Sequence, residues 1–272
     1  MDKLISLNKV FKKYLELNKK IIDEYAIAVV PTKRLNDFPV NDLDIEEDFI
    51  FFCFTKFTKS LIAIQHLLLN ELNEDALILT RSNFECLINA KSIVKNSEMI
   101  NHLVEYKLGL INEKKYKKKP RSQIANVGDQ ETFEYISSVW KIAEIANEET
   151  TYKFVYSFLC EVTHLNMLTS GYYREGTSYS YTLTSGIAKH NALLWNVYFN
   201  LKFYQVLIES EIIEDEKCNK LISTMLITGT ILLKEVFEIE ITRIRKDSNN
   251  TEEQLKYIDI LEQLIKNIEN FS

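Results

Sequence analysis

Residues 71–94 read ELNEDALILTRSNFECLINAKSIV. The stretch holds neither Gly nor Pro, opens on acidic residues, and repeats Leu, Ile, Phe, Ala and Val at steps of three and four, which is the period of an amphipathic helix. At 100° per residue, Thr80, Lys91 and Lys95 mark the side expected to face solvent. Arg81 and Glu85, one turn apart, point a quarter-turn or more away from it, among Leu77, Ile78 and Ile88. A charged pair among apolar side chains needs partners, because an unpaired buried charge is costly. The rest of the chain is expected to supply them.

Composition extends the helical reading to the whole chain. Six Gly and three Pro in 272 residues are too few for the tight turns of a βαβ or β-sandwich plan. The expectation is all-α: a single bundle of about nine helices over 1–272, with 118–129 the best candidate for a division. A net charge of −6 argues against a wholly basic nucleic-acid clamp but leaves room for a local basic patch. Cys53, Cys86, Cys160 and Cys218 are isolated, with no Cys-x-x-Cys, and read as reduced apolar residues. MDKLISLNKVFKKY lacks the apolar core and cleavage site of a signal peptide. The longest apolar run, Leu221 to Leu233, is interrupted and too short for a bilayer. No membrane association is expected, and the location implied is cytoplasmic. The preference for Lys, Glu, Asn and Ile over Arg and Ala is associated with AT-rich bacterial genomes.

Helices are expected over most of 2–30, from Ile45 to about Leu72 behind an Asp44/Glu47 capping box, and from an Asn73 cap to about Asn96. Ser97 starts the next, which runs into the basic tract, and Asp129 caps another to about Asn147. Thr150 or Thr151 opens a helix ending near Ser170-Gly171. Leu183–Glu211, Asp215–Arg245 and Thr251–Phe271 complete the count. Between them, GYYREGTSYSYTLTSG is an aromatic loop whose Tyr172, Tyr173, Tyr179 and Tyr181 could serve as a lid.

In the helix that contains YKFVYSFLCEVTHLNML, residues 152–168, Tyr156, Cys160 and His164 repeat every fourth residue and share a stripe beside the core-facing Val155, Leu159 and Val162. Glu85 accepting from His164, with Arg81 nearby, satisfies all three groups. Two readings stand: a buried network that fixes helix register, or a catalytic or ligand-binding site in a cleft. As catalysis, Arg81 would stabilise phosphate charge and His164 would move protons, with Glu85 and Tyr156 completing the set.

Arg81-x-x-x-Glu85 followed by Tyr156-x-x-x-Cys160-x-x-x-His164 resembles an uncharacterised bacterial family, over roughly residues 45–200. Its members carry Arg-x-x-x-Glu on one helix and a Tyr and Ser-x-x-x-His tract later; Cys160 stands here where that pattern favours Ser. The resemblance implies an all-helical architecture, distantly similar to the HEPN-type bundles of toxin and phage-defence systems. Ribonucleases of that type place Arg four to six residues before His on one helix. None of His66, His102, His164 or His190 has such an Arg, so Arg81 and His164 would have to meet from separate helices.

Lys114, Lys115, Lys117, Lys118, Lys119 and Arg121 put six positive charges in eight residues. They read either as a solvated helix end favoured by the dipole or as a contact for nucleic-acid or nucleotide phosphates. Glu161-x-x-His164 has the spacing of half a di-iron site, but its counterpart is missing, so no metal is expected. No glycine-rich phosphate loop suggests a cofactor. The leading functional reading is a defence- or toxin-associated protein acting on, or sensing, nucleic acid or nucleotide. The alternative is an interaction module, perhaps homodimeric, whose polar cluster is structural.

Overall fold

A computed structural model describes residues 3–25, 44–101, 116–118, 124–126, 132–133, 138–164, 167–180, 183–246 and 251–269. The architecture is an all-α bundle. Helix α1 spans Lys3–Tyr25, α2 Ile45–Leu69, α3 Asn73–Lys95 and α4 Val139–Ile145. Helix α5 is continuous but irregular: Glu149–Thr151, a π-helical turn at Tyr152–Tyr156, then Ser157–Thr163. Helices α6 (Gly186–Glu209), α7 (Glu216–Arg245) and α8 (Glu252–Glu269) follow. Two small antiparallel sheets accompany them: β1 (Tyr116–Lys118), β2 (Ile124–Asn126) and β3 (Thr132–Phe133), and the hairpin β4 (Arg174–Glu175) with β5 (Ser178–Tyr179).

Helix α6 is the axis of the bundle. Every residue from Ala192 to Leu207 is buried, as a helix apolar nearly all round must be. Helices α1, α2, α3 and α7 pack against it. Several polar side chains that enter this core find one another: Asn18 Nδ2 donates to Asn200 Oδ1 at 2.7 Å, Asn83 Nδ2 to Asn196 Oδ1 at 2.7 Å, and Asn196 Nδ2 to Thr80 Oγ1 at 2.7 Å. Gly229 lets α7 approach α1, since a Cβ there would lie 1.8 Å from the Tyr14 hydroxyl. That hydroxyl donates to the Met225 carbonyl at 3.1 Å.

The Asp44/Glu47 capping box forms as expected. Asn73 does not cap α3. It lies inside the first turn, and its amide donates to the Ser185 carbonyl at 3.2 Å, tying α3 to the start of α6. The orientation of α3 also differs from expectation. Thr80 is 0% exposed and Lys91 4%, so two of the three residues assigned to solvent are buried. Their side chains have polar partners across the α3–α6 contact and at the start of α5, which an apolar periodicity cannot register. The helix expected from an Asp129 cap is shorter, beginning at Val139, and β3 precedes it. The basic tract is not a helix end where it is described, because Tyr116–Lys118 is a strand. Lys114, Lys115, Lys119 and Arg121 lie outside the described residues, as do Pro31 and Asp129 themselves.

Lys91 is buried because of Glu148. Helix α4 ends with Asn147 in the left-handed region (φ 54°); Glu148 N–H donates back to Ala143 O at 2.8 Å and Asn147 N–H to Glu144 O at 3.1 Å. This αL stop turns Glu148 into the core, where it is 1% exposed. Its Oε1 accepts from Lys91 at 2.5 Å and lies 3.2 Å from Lys202 Nζ, while Oε2 accepts from Thr151 at 2.7 Å. Burial works to raise the Glu148 carboxyl, but Lys202 and Lys91 outweigh it and hold the group below the usual carboxylate range. A depressed folded-state pKa gives stability above the unfolded value that is lost as pH falls through the folded one. Glu148→Ala strands two buried ammonium groups and should cost about 3–5 kcal/mol. For a chain of this size that is a fall in Tm of roughly 6–20 °C; a calorimetric melt unchanged from the parent contradicts the arrangement.

Candidate functional site

Arg81 and Glu85 sit on the face of α3 turned toward α5. The π-helical turn of α5 widens the backbone at Tyr152–Tyr156 and delivers Tyr156 to them; such turns recur at functional sites because they re-aim one side chain. Arg81 Nε and Nη2 donate to Tyr156 Oη at 3.2 and 3.1 Å. The phenol in turn donates to Glu85 Oε1 at 2.8 Å, and Arg81 Nε lies 3.5 Å from the same oxygen. One hydroxyl thus bridges a cation and an anion that are themselves a turn apart. Burial first, then the bond to Glu85, raise the Tyr156 phenol above its ordinary value against the pull of Arg81.

Tyr156 is buried, packed on Phe84 with ring centroids 5.4 Å apart, and stacked on Tyr152 at 5.1 Å and 22°. Trp140 meets Tyr152 edge-on at 5.1 Å, and Lys153 Nζ stands 5.3 Å from the Trp140 ring centroid. The charged pair itself stays open: the Arg81 and Glu85 side chains are 26% and 37% exposed. Among the described residues, Arg81 Nη1 and Glu85 Oε2 have no hydrogen-bond partner. The site therefore presents donors and an acceptor side by side at the edge of an aromatic stack.

His164 is not part of it. Helix α5 ends at Thr163, and His164 caps it in an extended conformation (φ −96°, ψ 148°) with its side chain exposed. Among the described residues no hydrogen bond or ion pair joins its imidazole to Arg81, Glu85 or Tyr156. The i, i+4, i+8 argument fails because the helix ends at Thr163 and the extended backbone at His164 breaks the stripe after Cys160. Val155, Leu159 and Val162 do face the core, as the pattern implied. Cys53, Cys86 and Cys218 are buried and Cys160 partly so, all as free thiols; burial pushes Cys160 up from its ordinary value, which disfavours a reactive thiolate.

The tyrosine loop opens at the end of a 3-10 helix, Met167–Tyr173, which holds Tyr172 and Tyr173, and continues as the β4–β5 hairpin, with Gly176 (φ 58°) in its turn and Arg174 Cζ 5.9 Å from the Tyr179 ring centroid. Its electrostatic neighbours are Glu74 and Asp75, beside Tyr173, at the start of α3 and about two turns before Arg81. Tyr181 lies outside the described residues. Sequence reasoning overlooked Trp140, Tyr152 and the Glu148 cluster. The first two carry no charge pattern to flag them. Lys202, a lone cation inside the apolar run of α6, was the available signal for the third.

Residues 47–178 match the model of a family described as a family of unknown function (DUF5677), a range holding Arg81, Glu85, Lys91, Glu148 and Tyr156. No curated protein and no solved structure matches the chain.

Because the pair is open, Glu85→Ala should cost about 1 kcal/mol or less, as for exposed ion pairs. A loss of several kcal/mol in urea denaturation would show instead that the pair is buried.

Proposed function

We propose that this is a bacterial defence- or toxin-associated protein of the cytoplasm that recognises a nucleotide or nucleic acid through Arg81, Glu85 and Tyr156. The association with defence rests on the resemblance of these motifs to the helical family with HEPN-like bundles. The binding reading rests on one observation: Arg81 is held on one edge by Tyr156, while Arg81 Nη1 and Glu85 Oε2 have no hydrogen-bond partner among the described residues. An isolated phosphate is a poor match, since Glu85 repels it. A nucleobase edge sets acceptors and donors side by side, and so fits a guanidinium next to a carboxylate. Tyr152 and Trp140 add partly exposed aromatic surface, of the kind on which bases stack.

The proposal is one of recognition. His164, the candidate proton carrier, stands apart from the pair, and Tyr156 has its phenol raised well above neutrality. Lys114, Lys115, Lys117, Lys118, Lys119 and Arg121 are assigned to phosphate contacts of the same ligand, which makes binding salt-dependent. No described helix is long and apolar enough to cross a membrane.

Fluorescence polarisation with labelled single-stranded oligonucleotides and with nucleotides tests this. The parent should bind at low salt, and Arg81→Ala should weaken binding by about tenfold or more, the loss of a charge-assisted hydrogen bond. Glu85→Gln should change the base preference while leaving the melt near the parent's. A parent that binds no nucleotide or oligonucleotide at low salt overturns the reading and leaves the cluster as a structural device.

A further inference from the structure

Helix α7 is the longest of the described helices, and one side of it is largely exposed. Along that side stand Lys220, Thr224, Ile227, Ile231, Glu235, Glu238 and Thr242, at steps of three and four. Ile227 is 54% and Ile231 64% exposed, flanked by Leu221 and Ile239, both also exposed. Ile5 of α1 is exposed too, two residues from Lys3, whose ammonium pairs with Glu235. Isolated exposed aliphatics are ordinary, but Ile227 and Ile231 stand one turn apart on one exposed helix face, with Leu221 and Ile239 about a quarter-turn round the helix, which makes this side a candidate contact surface.

The order of residues along this face is self-complementary about Gly229. Ile227 and Ile231 lie two residues either side of it, and Lys220 and Glu238 nine residues either side. If α7 meets α7 of a second copy antiparallel, with a two-fold axis at Gly229, each Ile227 falls opposite Ile231 of the other copy. Each Lys220 likewise falls opposite Glu238. Like charges do not meet in this register: Glu235 comes opposite Ser223, and Lys234 opposite Thr224. Lys220 and Glu238 are exposed, and neither has an ion-pair partner among the described residues. The two ion pairs would stand about 27 Å apart, 18 residues at the helical rise, bracketing the apolar centre. A self-complementary patch is what an isologous interface requires, and an unrelated partner has no reason to produce one.

We infer that the exposed face of α7 is a homodimer interface, in which two copies pack α7 against α7 antiparallel about Gly229. The apolar centre supplies the attraction, and the Lys220–Glu238 pairs set register and direction. Sedimentation velocity over a concentration series tests this on the full chain, with melts confirming that each surface variant stays folded. The parent should associate to a dimer. Ile231→Glu should leave a monomer, and Lys220→Glu or Glu238→Lys alone should weaken association by about tenfold or more, since each places two like-charge contacts in the dimer. The double variant Lys220→Glu/Glu238→Lys should return to within roughly threefold of the parent, because the pairs re-form with exchanged signs. A parent that stays monomeric, a dimer indifferent to Ile231→Glu, or a double variant no better than the single ones each overturns the proposal.

Discussion

The shared carboxylate of Glu148 is the constraint on which the arrangement of the site depends. Two ammonium groups, one from α3 and one from α6, converge on a single oxygen in the buried core. Nothing apolar substitutes for that anion, because moving a lysine into low dielectric costs more than its aliphatic stem recovers. The ion cluster therefore dictates the rotation of α3: with Lys91 held inward, Arg81 and Glu85, ten and six residues earlier, come to face α5. The same carboxylate accepts from Thr151 in the first turn of α5. It thereby fixes where that helix starts, and hence where the π turn puts Tyr156.

Much of the bundle was legible from periodicity and punctuation. The Asp44 capping box, the approximate bounds of α2, α3, α6, α7 and α8, and the inward stripe of Val155, Leu159 and Val162 follow from spacing and caps. The rotation of α3 was not legible. The inference that Lys91 faces water treats charge as a marker of exposure, a rule that holds only while no counter-charge waits in the core. Its partner sits 57 residues on, in a connection between two short helices, and no local pattern announces it. Asn196, Asn200 and Lys202, spaced along the otherwise apolar α6, were the trace in sequence of a polar seam between helices.

The candidate site shows the same division. Arg81, Glu85 and Tyr156 were grouped from their helical positions, and the structure brings them within hydrogen-bonding distance. His164 was added by extending an ideal 3.6-residue helix two turns beyond Tyr156. That extension presumes an unbroken helix, whereas α5 stops one residue short of His164, whose backbone is extended. The group that fits worst with the sequence argument is thus the one whose placement needed the longest run of unbroken helix.

An open ion pair on a rigid scaffold is a different object from a buried one. Buried pairs tend to be near-neutral for stability and serve to fix an arrangement, a role Glu148 with its two lysines fulfils here. An exposed pair contributes little to folding, so the bidentate hold of Tyr156 on Arg81 is not explained by stability. What that hold does achieve is orientation: it pins the guanidinium by two donors and leaves the remaining donors at a fixed angle to the Glu85 oxygen that has no partner among the described residues. Preorganisation of this kind lowers the entropic cost of engaging a ligand. The contrast between a costly, hidden cluster that sets the frame and a thermodynamically minor, open one held rigidly upon it is the physical argument for placing recognition at Arg81 and Glu85.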